Sequence, residues 1–308
     1  MASGFSECSS FKIENPKSKI SSHVIRIVLL GRTGNNMFQY ALGRVLAEMH
    51  SVPLVLDGSW FNAEGWAEVS HFLKLPLKAK VVRRCSLGAR ALLKFTGKHY
   101  WEFRGVPVLY ESSNDQSYDG RFLDAPAECM LFGYFQSPLY FQSIAGSLRA
   151  ELISLIAGAV SVPENLRSKL MNGNSVAVHV RRKDYLELPI FQVCDNRFYQ
   201  DAMRELRGSH PSARFYVFSD DPDWCRTEFC EADQEVIDCR MVTANPMNDL
   251  YLMSLASHHI IANSSYSWWA AWLGSKPGQR VLMPDRWFAH GIKAPVEEKM
   301  CDGWEIVR

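Results

Sequence analysis

The sequence predicts an α/β protein built from two Rossmann-like units in tandem. Three observations predict it. Short apolar, β-branched runs alternate with helix-period segments, the pattern of buried parallel strands joined by crossover helices. The alternation occurs twice, on either side of a helical segment that ends near Val160. The composition, 47% hydrophobic and 22% charged over 308 residues, suits a globular chain long enough for two domains and excludes a disordered or fibrous one.

The expected division is a polar segment over 1–22, a first unit over 23–160 and a second over 161–308. In the first unit, the strand "VIRIVLL" (24–30) leads into "NMFQYALGRVLAEMH" and then into the strand "VPLVLD" (52–57). Phe38, Leu42, Val45, Leu46 and Met49 share one helical face, so this is a β-α-β unit. Its turn, "GRTGNNMFQY" (31–40), has two glycines but not the G-x-G-x-x-G spacing. It reads as a close-approach turn in which Gly34 and Asn35 face a ligand and Asn36 caps the helix. The middle is less regular, and its basic stretch "KAKVVRRCSLGARALLK" (78–94) reads as a solvated helix without a functional role. One helix is expected over "PLYFQSIAGSLRAELISLIAGA" (138–159).

The second unit repeats the logic. Strands are expected at "SVAVHV" (175–180), "ARFYVFSD" (213–220), "QEVIDC" (234–239), "HIIAN" (259–263) and "RVLMP" (280–284). Helices fall between them: "NRFYQDAMRELRG", closed by Gly208, then "PDWCRTEF", "PMNDLYLMSLASH" and "SYSWWAAWLGS". Trp268, Trp269 and Trp272 read as core packing rather than a sugar platform.

Lys plus Arg number 34 against 33 for Asp plus Glu, so nucleic-acid or membrane-surface binding is not expected and an anionic ligand needs a local positive cluster. The eight cysteines lack metal-ligand spacing and read as reduced thiols. No signal-like or membrane-spanning run occurs, which points to a cytosolic protein. The sequon Asn263-Ser264-Ser265 follows a buried-looking run and is a poor place for a glycan.

Open parallel sheets bind ligands at strand carboxyl ends, and three such ends stand out. After "SVAVHV" come Arg181, Arg182 and Asp184; His179 and Arg181 share a strand face, and the two guanidiniums form a fork for phosphate oxygens. The structural alternative is an ion pair to Asp184 beside a core histidine. After "RFYVFS" come Asp220, Asp221 and Asp223. Asp221-Pro222-Asp223 fits either a metal-binding D-x-D or a helix start, while Asp220 or Asp221 suits the N1-H and amino group of a guanine. After "HIIAN" come Ser264, Ser265 and Ser267 at a helix start, where free N-H groups and hydroxyls suit a phosphate.

Together "GRTGNNMFQYALGR", "GYFQSPLYF", "HVRRKDY", "FYVFSDDPDW" and "NDLYLMSLASHHIIANSSYSWWAAWLG" resemble the α-1,2-fucosyltransferase family in order and spacing, from Val24 to Phe288. The resemblance implies a GT-B architecture, two Rossmann-like domains with a cleft between them, the first on the acceptor side and the second binding the donor. It implies inverting, metal-independent transfer of L-fucose from GDP-β-L-fucose to the 2-hydroxyl of a galactose in a glycan, with no cofactor. On matching positions, His179 and Arg181 contact the donor, Arg181 stabilises the leaving β-phosphate, and Arg182 supports it. Asp220 or Asp221 reads guanine, and Ser264, Ser265 and Ser267 line the diphosphate site. Gly31-Arg32-Thr33-Gly34-Asn35-Asn36 departs from the family's usual Gly-Gly-Leu-Gly-Asn-Gln, and Lys183 stands where glycine is common. Asp57 and Glu111 are candidates for the base by chain position alone.

Two other readings compete: a metal-dependent UDP-sugar transferase using Asp221 and Asp223, and a non-catalytic carbohydrate- or nucleotide-binding module. A bacterial-type cytosolic enzyme acting on a surface-polysaccharide or lipid-linked precursor is the expected setting, with a trimmed Golgi enzyme as the alternative.

Overall fold

A computed structural model of the chain describes residues 23–83, 104–238 and 245–307. Its first sheet holds β1 (Ile25–Val28), β2 (Leu54–Asp57), β3 (Lys80–Val82), β4 (Val108–Tyr110) and β5 (Cys129–Phe132). They lie in the order β3-β2-β1-β5-β4, every pair parallel. Helix α1 (Thr33–His50) follows β1 and α2 (Ala63–Leu73) follows β2. Helices α3 (Ala145–Ala159) and α4 (Glu164–Leu170) then lead to the second sheet.

That sheet contains β6 (Ser175–Val180), β7 (Arg214–Ser219), β8 (Gln234–Ile237), β9 (His258–Ile260), β10 (Val281–Pro284) and β11 (Trp304–Val307). Its order, β11-β10-β9-β6-β7-β8, is also parallel throughout and is the doubly wound dinucleotide-fold order counted from β6. Between the strands lie α5 (Lys183–Glu187), α6 (Asn196–Ser209), α7 (Pro222–Glu228), α8 (Pro246–Leu255) and α9 (Ser265–Leu273). Every residue of β6 is buried, as expected of a strand covered on both faces. The two-unit α/β architecture expected from the sequence is therefore present.

Local departures have local causes. The single helix expected over 138–159 is a 3-10 stretch, Pro138–Ile144, followed by α3, with a break at Phe141 (φ −133°). Phe141 is fully buried and stacks on Trp269 at 5.4 Å, so packing overrides helical continuity there. Helix α6 runs past Gly208 to Ser209, and its start is held by Asp195, whose side chain accepts from the Phe198 N-H. Lys80–Val82, inside the basic stretch read as helix, forms β3 against β2, while 84–94 lie outside the described residues. The polar segment 1–22 and the end of "QEVIDC" also lie outside them.

The two units share one hydrophobic core. Phe38 of α1 packs on Trp268 and Trp269 of α9 at 4.7 and 5.0 Å between ring centres, and Phe141 closes the cluster. The tryptophans are thus core, as expected. Helix α3 packs on α8 and α9, and Arg149 donates to the Trp272 carbonyl at 2.9 Å. The chain after β10 returns across the first unit, where the Gln116 N-H donates to the Lys293 carbonyl, the Lys293 N-H donates to the Asn114 carbonyl, and the Lys299 amine donates to the Gln136 carbonyl at 2.9 Å. Among the described residues, no helix is long and apolar enough to cross a membrane.

Candidate active site

The carboxyl ends of β1 and β5 face those of β6, β7 and β9 across a cavity of about 440 Å³, a volume suited to a small-molecule ligand. Both sheets reverse their strand order there, between β1 and β5 in one and between β6 and β9 in the other. The cavity therefore lies at two facing switch points, where the fold leaves a crevice.

From the second unit, β6 delivers His179 and Arg181. Arg181 is held by two carboxylates, Asp184 at 2.8 Å and Asp220 at 3.2 Å. Burial opposes its charge, but those carboxylates keep it protonated, above its ordinary value. His179 is pushed down to about 3, first by burial and then by the neighbouring Arg181 charge, so it is a neutral imidazole near pH 7. Among the described residues, its buried Nδ1 has no hydrogen-bond partner.

After β9 the chain enters α9 at Ser264 and Ser265, both lining the cavity. From the first unit, the start of α1 brings Gly34 and Asn35 to the same place. The two helix starts touch: a Cβ on Gly34 would lie 2.6 Å from the carbonyl carbon and hydroxyl of Ser265 and from the Tyr266 nitrogen. A helix start leaves its first N-H groups without intrahelical partners and carries a partial positive charge of about half an electron, so the apposition of two of them beside Arg181 favours an anion between them. The bridge is completed by the Ser265 hydroxyl, which donates to Asn35 Oδ1 at 2.7 Å.

Of the sequence-derived candidates, Gly34, Asn35, His179, Arg181, Asp220, Ser264 and Ser265 line the cavity. Arg182, Asp221 and Ser267 lie outside its lining. Arg182 pairs with Asp221 at 3.1 Å and stacks over Trp224 at 3.7 Å, while Asp221 also caps α7. Ser267 donates back to the Ser264 carbonyl at 3.2 Å. Asp223 pairs with Arg226 at 2.6 Å on the surface. Asn36 does not cap α1. The helix already begins at Thr33, so its amide turns inward to the Leu30 carbonyl and Gln39.

Neither carboxylate named as a base lines the cavity. Asp57 accepts from the Ser59 N-H and pairs with Arg26 at 3.6 Å. Glu111 accepts from the Tyr134 and Phe135 N-H groups, holding the loop after β5, and burial raises its pKa. The sequon is closed to a glycan: Asn263 is buried and its amide donates to the Phe191 and Trp287 carbonyls. Cys129, Cys194, Cys225, Cys230 and Cys301 are free thiols.

Sequence reasoning missed several lining residues. Arg32 reaches Glu68 of α2 at 3.0 Å and Asp184 at 3.5 Å, bridging the mouth of the cleft. Gln136 and Trp287 line it from the loops after β5 and β10, and Tyr185 packs beneath Arg181. The family motif "GYFQSPLYF" contained Gln136; nothing in the sequence around Trp287 pointed to the cleft.

The buried imidazoles have a consequence for acid stability. His179 and His259 titrate near 3 in the folded chain against 6.5 ordinarily, in both cases chiefly through burial. The unfolded state therefore binds protons that the folded state does not, and stability is full above pH 6.5 and falls as the pH drops toward 3. The slope is up to about 1.4 kcal/mol per pH unit for each group. Melting temperature should drop by several degrees between pH 7 and pH 5; a flat profile would contradict buried neutral histidines.

A paired α/β cleft with an arginine and two helix starts aimed at one anion site has the form of a nucleotide-sugar-dependent glycosyltransferase. The chain belongs to glycosyl transferase family 11, whose family model matches residues 109–307. It is 31% identical over 272 residues to an alpha-1,2-colitosyltransferase of Escherichia coli, covering 84% of this chain and 91% of that protein. The O-antigen biosynthesis glycosyltransferase WbnK of Escherichia coli is 26% identical, with 90% and 98% covered. Galactoside alpha-(1,2)-fucosyltransferase 2 of Sus scrofa is 24% identical, with 84% and 72% covered.

Proposed function

We propose that the cavity binds GDP-β-L-fucose and that the chain transfers fucose, with inversion and without metal or other cofactor, to the 2-hydroxyl of a galactose in a glycan. The observation that carries this reading is the convergence of Arg181 with the starts of α1 and α9 at the facing switch points. That arrangement supplies fixed positive charge where a leaving diphosphate gains negative charge. Asp220, the cavity-lining member of the acidic pair, is the candidate for the guanine edge. Asp221 and Asp223 are engaged by Arg182 and Arg226 outside the cavity, which disfavours a metal-dependent D-x-D reading. The 1,2 linkage is supported by the activities for which the relatives are named.

A second donor, GDP-colitose, is favoured by the 31% identity to the colitosyltransferase. Both donors share the guanosine diphosphate, so the cavity chemistry is the same. The E. coli relative named for O-antigen biosynthesis supports a polysaccharide precursor as the acceptor.

The test is thermal shift with GDP and UDP, with and without chelator, followed by transfer to a β-galactoside. GDP at about a hundred times its Kd should stabilise the fold by about 2.7 kcal/mol. UDP should not, and chelator should change neither binding nor turnover. Equal stabilisation by UDP overturns the guanine reading, and turnover from only one of GDP-fucose and GDP-colitose decides the sugar.

A further inference from the structure

We propose that Trp287 and Gln136 orient the Asn35 amide so that its nitrogen, not its oxygen, faces the ligand and donates to a phosphoryl oxygen of a bound nucleoside diphosphate. The inference rests on the GDP-sugar reading above and adds two positioning residues to it.

The orientation follows from one group whose role is not in doubt. An indole N-H only donates. Trp287 Nε1 donates to Gln136 Oε1 at 2.8 Å, which fixes the Gln136 amide. Gln136 Nε2 must then be the donor in its 2.8 Å contact with Asn35 Oδ1. The Ser265 hydroxyl donates to the same oxygen at 2.7 Å. Both lone pairs of Asn35 Oδ1 are thus taken, and Nδ2 is the end left to the cavity.

The surroundings agree. Asn35 and Gly31 both line the cavity. A Cβ on Gly31 would lie 2.0 Å from Asn35 Nδ2, so the amide nitrogen occupies the space a side chain would fill there. Among the described residues, no protein acceptor takes the Nδ2 hydrogens. Gln136 and Trp287 are buried, which keeps water from substituting for the indole. The relay therefore runs from the loop after β10, through the loop after β5, to the first turn of α1, and ends beside the α9 start and Arg181.

Trp287→Phe removes the N-H while keeping an aromatic ring. The Gln136 amide can then turn over, and Asn35 with it, placing a carbonyl oxygen against the phosphate. We expect GDP affinity, measured by calorimetry, to fall about tenfold, with guanosine binding, followed by ligand-observed NMR, unchanged. A variant that binds GDP like the wild type overturns the inference, and so does equal weakening of GDP and guanosine, which marks a general packing defect. If Trp287→Phe does not fold, Gln136→Met carries the same expectation. Wild-type protein that fails to bind GDP overturns instead the donor reading on which the inference rests.

Discussion

Arg181→Ala lowers turnover about a hundred- to a thousandfold at saturating GDP-fucose, the range for removing one fixed donor to a developing anion. The reason is geometric. In the proposed reaction, breaking the fucosyl C1-O bond would build charge on the leaving β-phosphate, and an interaction that strengthens with that charge acts on turnover rather than on binding alone. Asp184 and Asp220 hold the guanidinium in place at 2.8 and 3.2 Å before the substrate arrives, so little reorganisation is needed. Without Arg181, Asp184 and Asp220 also lose the countercharge that each holds at 2.8 and 3.2 Å. Arg181→Lys recovers less than a tenth of the lost rate, because one ammonium cannot reach both carboxylates and the phosphate as separate guanidinium nitrogens do. Turnover at saturating donor is the measurement. Near-normal turnover of the alanine variant would remove Arg181 from its assigned role.

Gly34→Val damages both stability and transfer. Its Cβ would stand 2.6 Å from backbone atoms of Ser265 and Tyr266, which cannot rotate away as a flexible side chain can. Helix α1 and helix α9 would have to move apart, at a cost of about 1–3 kcal/mol for the overpacking. That movement also separates the two sources of N-H groups at the anion site. The expected result is a melting temperature lower by several degrees together with weakened GDP binding. A stable variant with unchanged GDP affinity would reduce the opening turn to a plain connection between strand and helix.

The second unit was the more legible half of the fold. Strands β6 and β7, six residues each, are long enough to display a pattern and stand just before their helices, so β6, β7 and α9 fall close to their expected places. Strands β3 and β4, three residues each, are too short to carry a period and were not foreseen. The site divides in the same way. Arg181 was readable because it follows β6 directly, and Ser264 and Ser265 because they open the helix after β9. Gln136, Trp287, Glu68 and Arg32 meet only through tertiary structure, and no local pattern brings them together. Asp57 and Glu111 mark a different limit: position at a strand end does not fix side-chain direction, and both turn toward neighbouring backbone N-H groups. Arg182 and Asp221 stand beside true lining residues, yet alternation and a helix cap draw them to each other.

The Phe38, Phe141, Trp268 and Trp269 cluster bears on how this chain could be dissected. Its rings come from both units, so cutting the polypeptide between the sheets would leave each fragment with a bare aromatic face. Such fragments are candidates for aggregation or mutual rescue by reassembly rather than for separate life as modules. The intact chain should accordingly melt in one calorimetric transition, because neither sheet keeps a complete interior once the other has come apart.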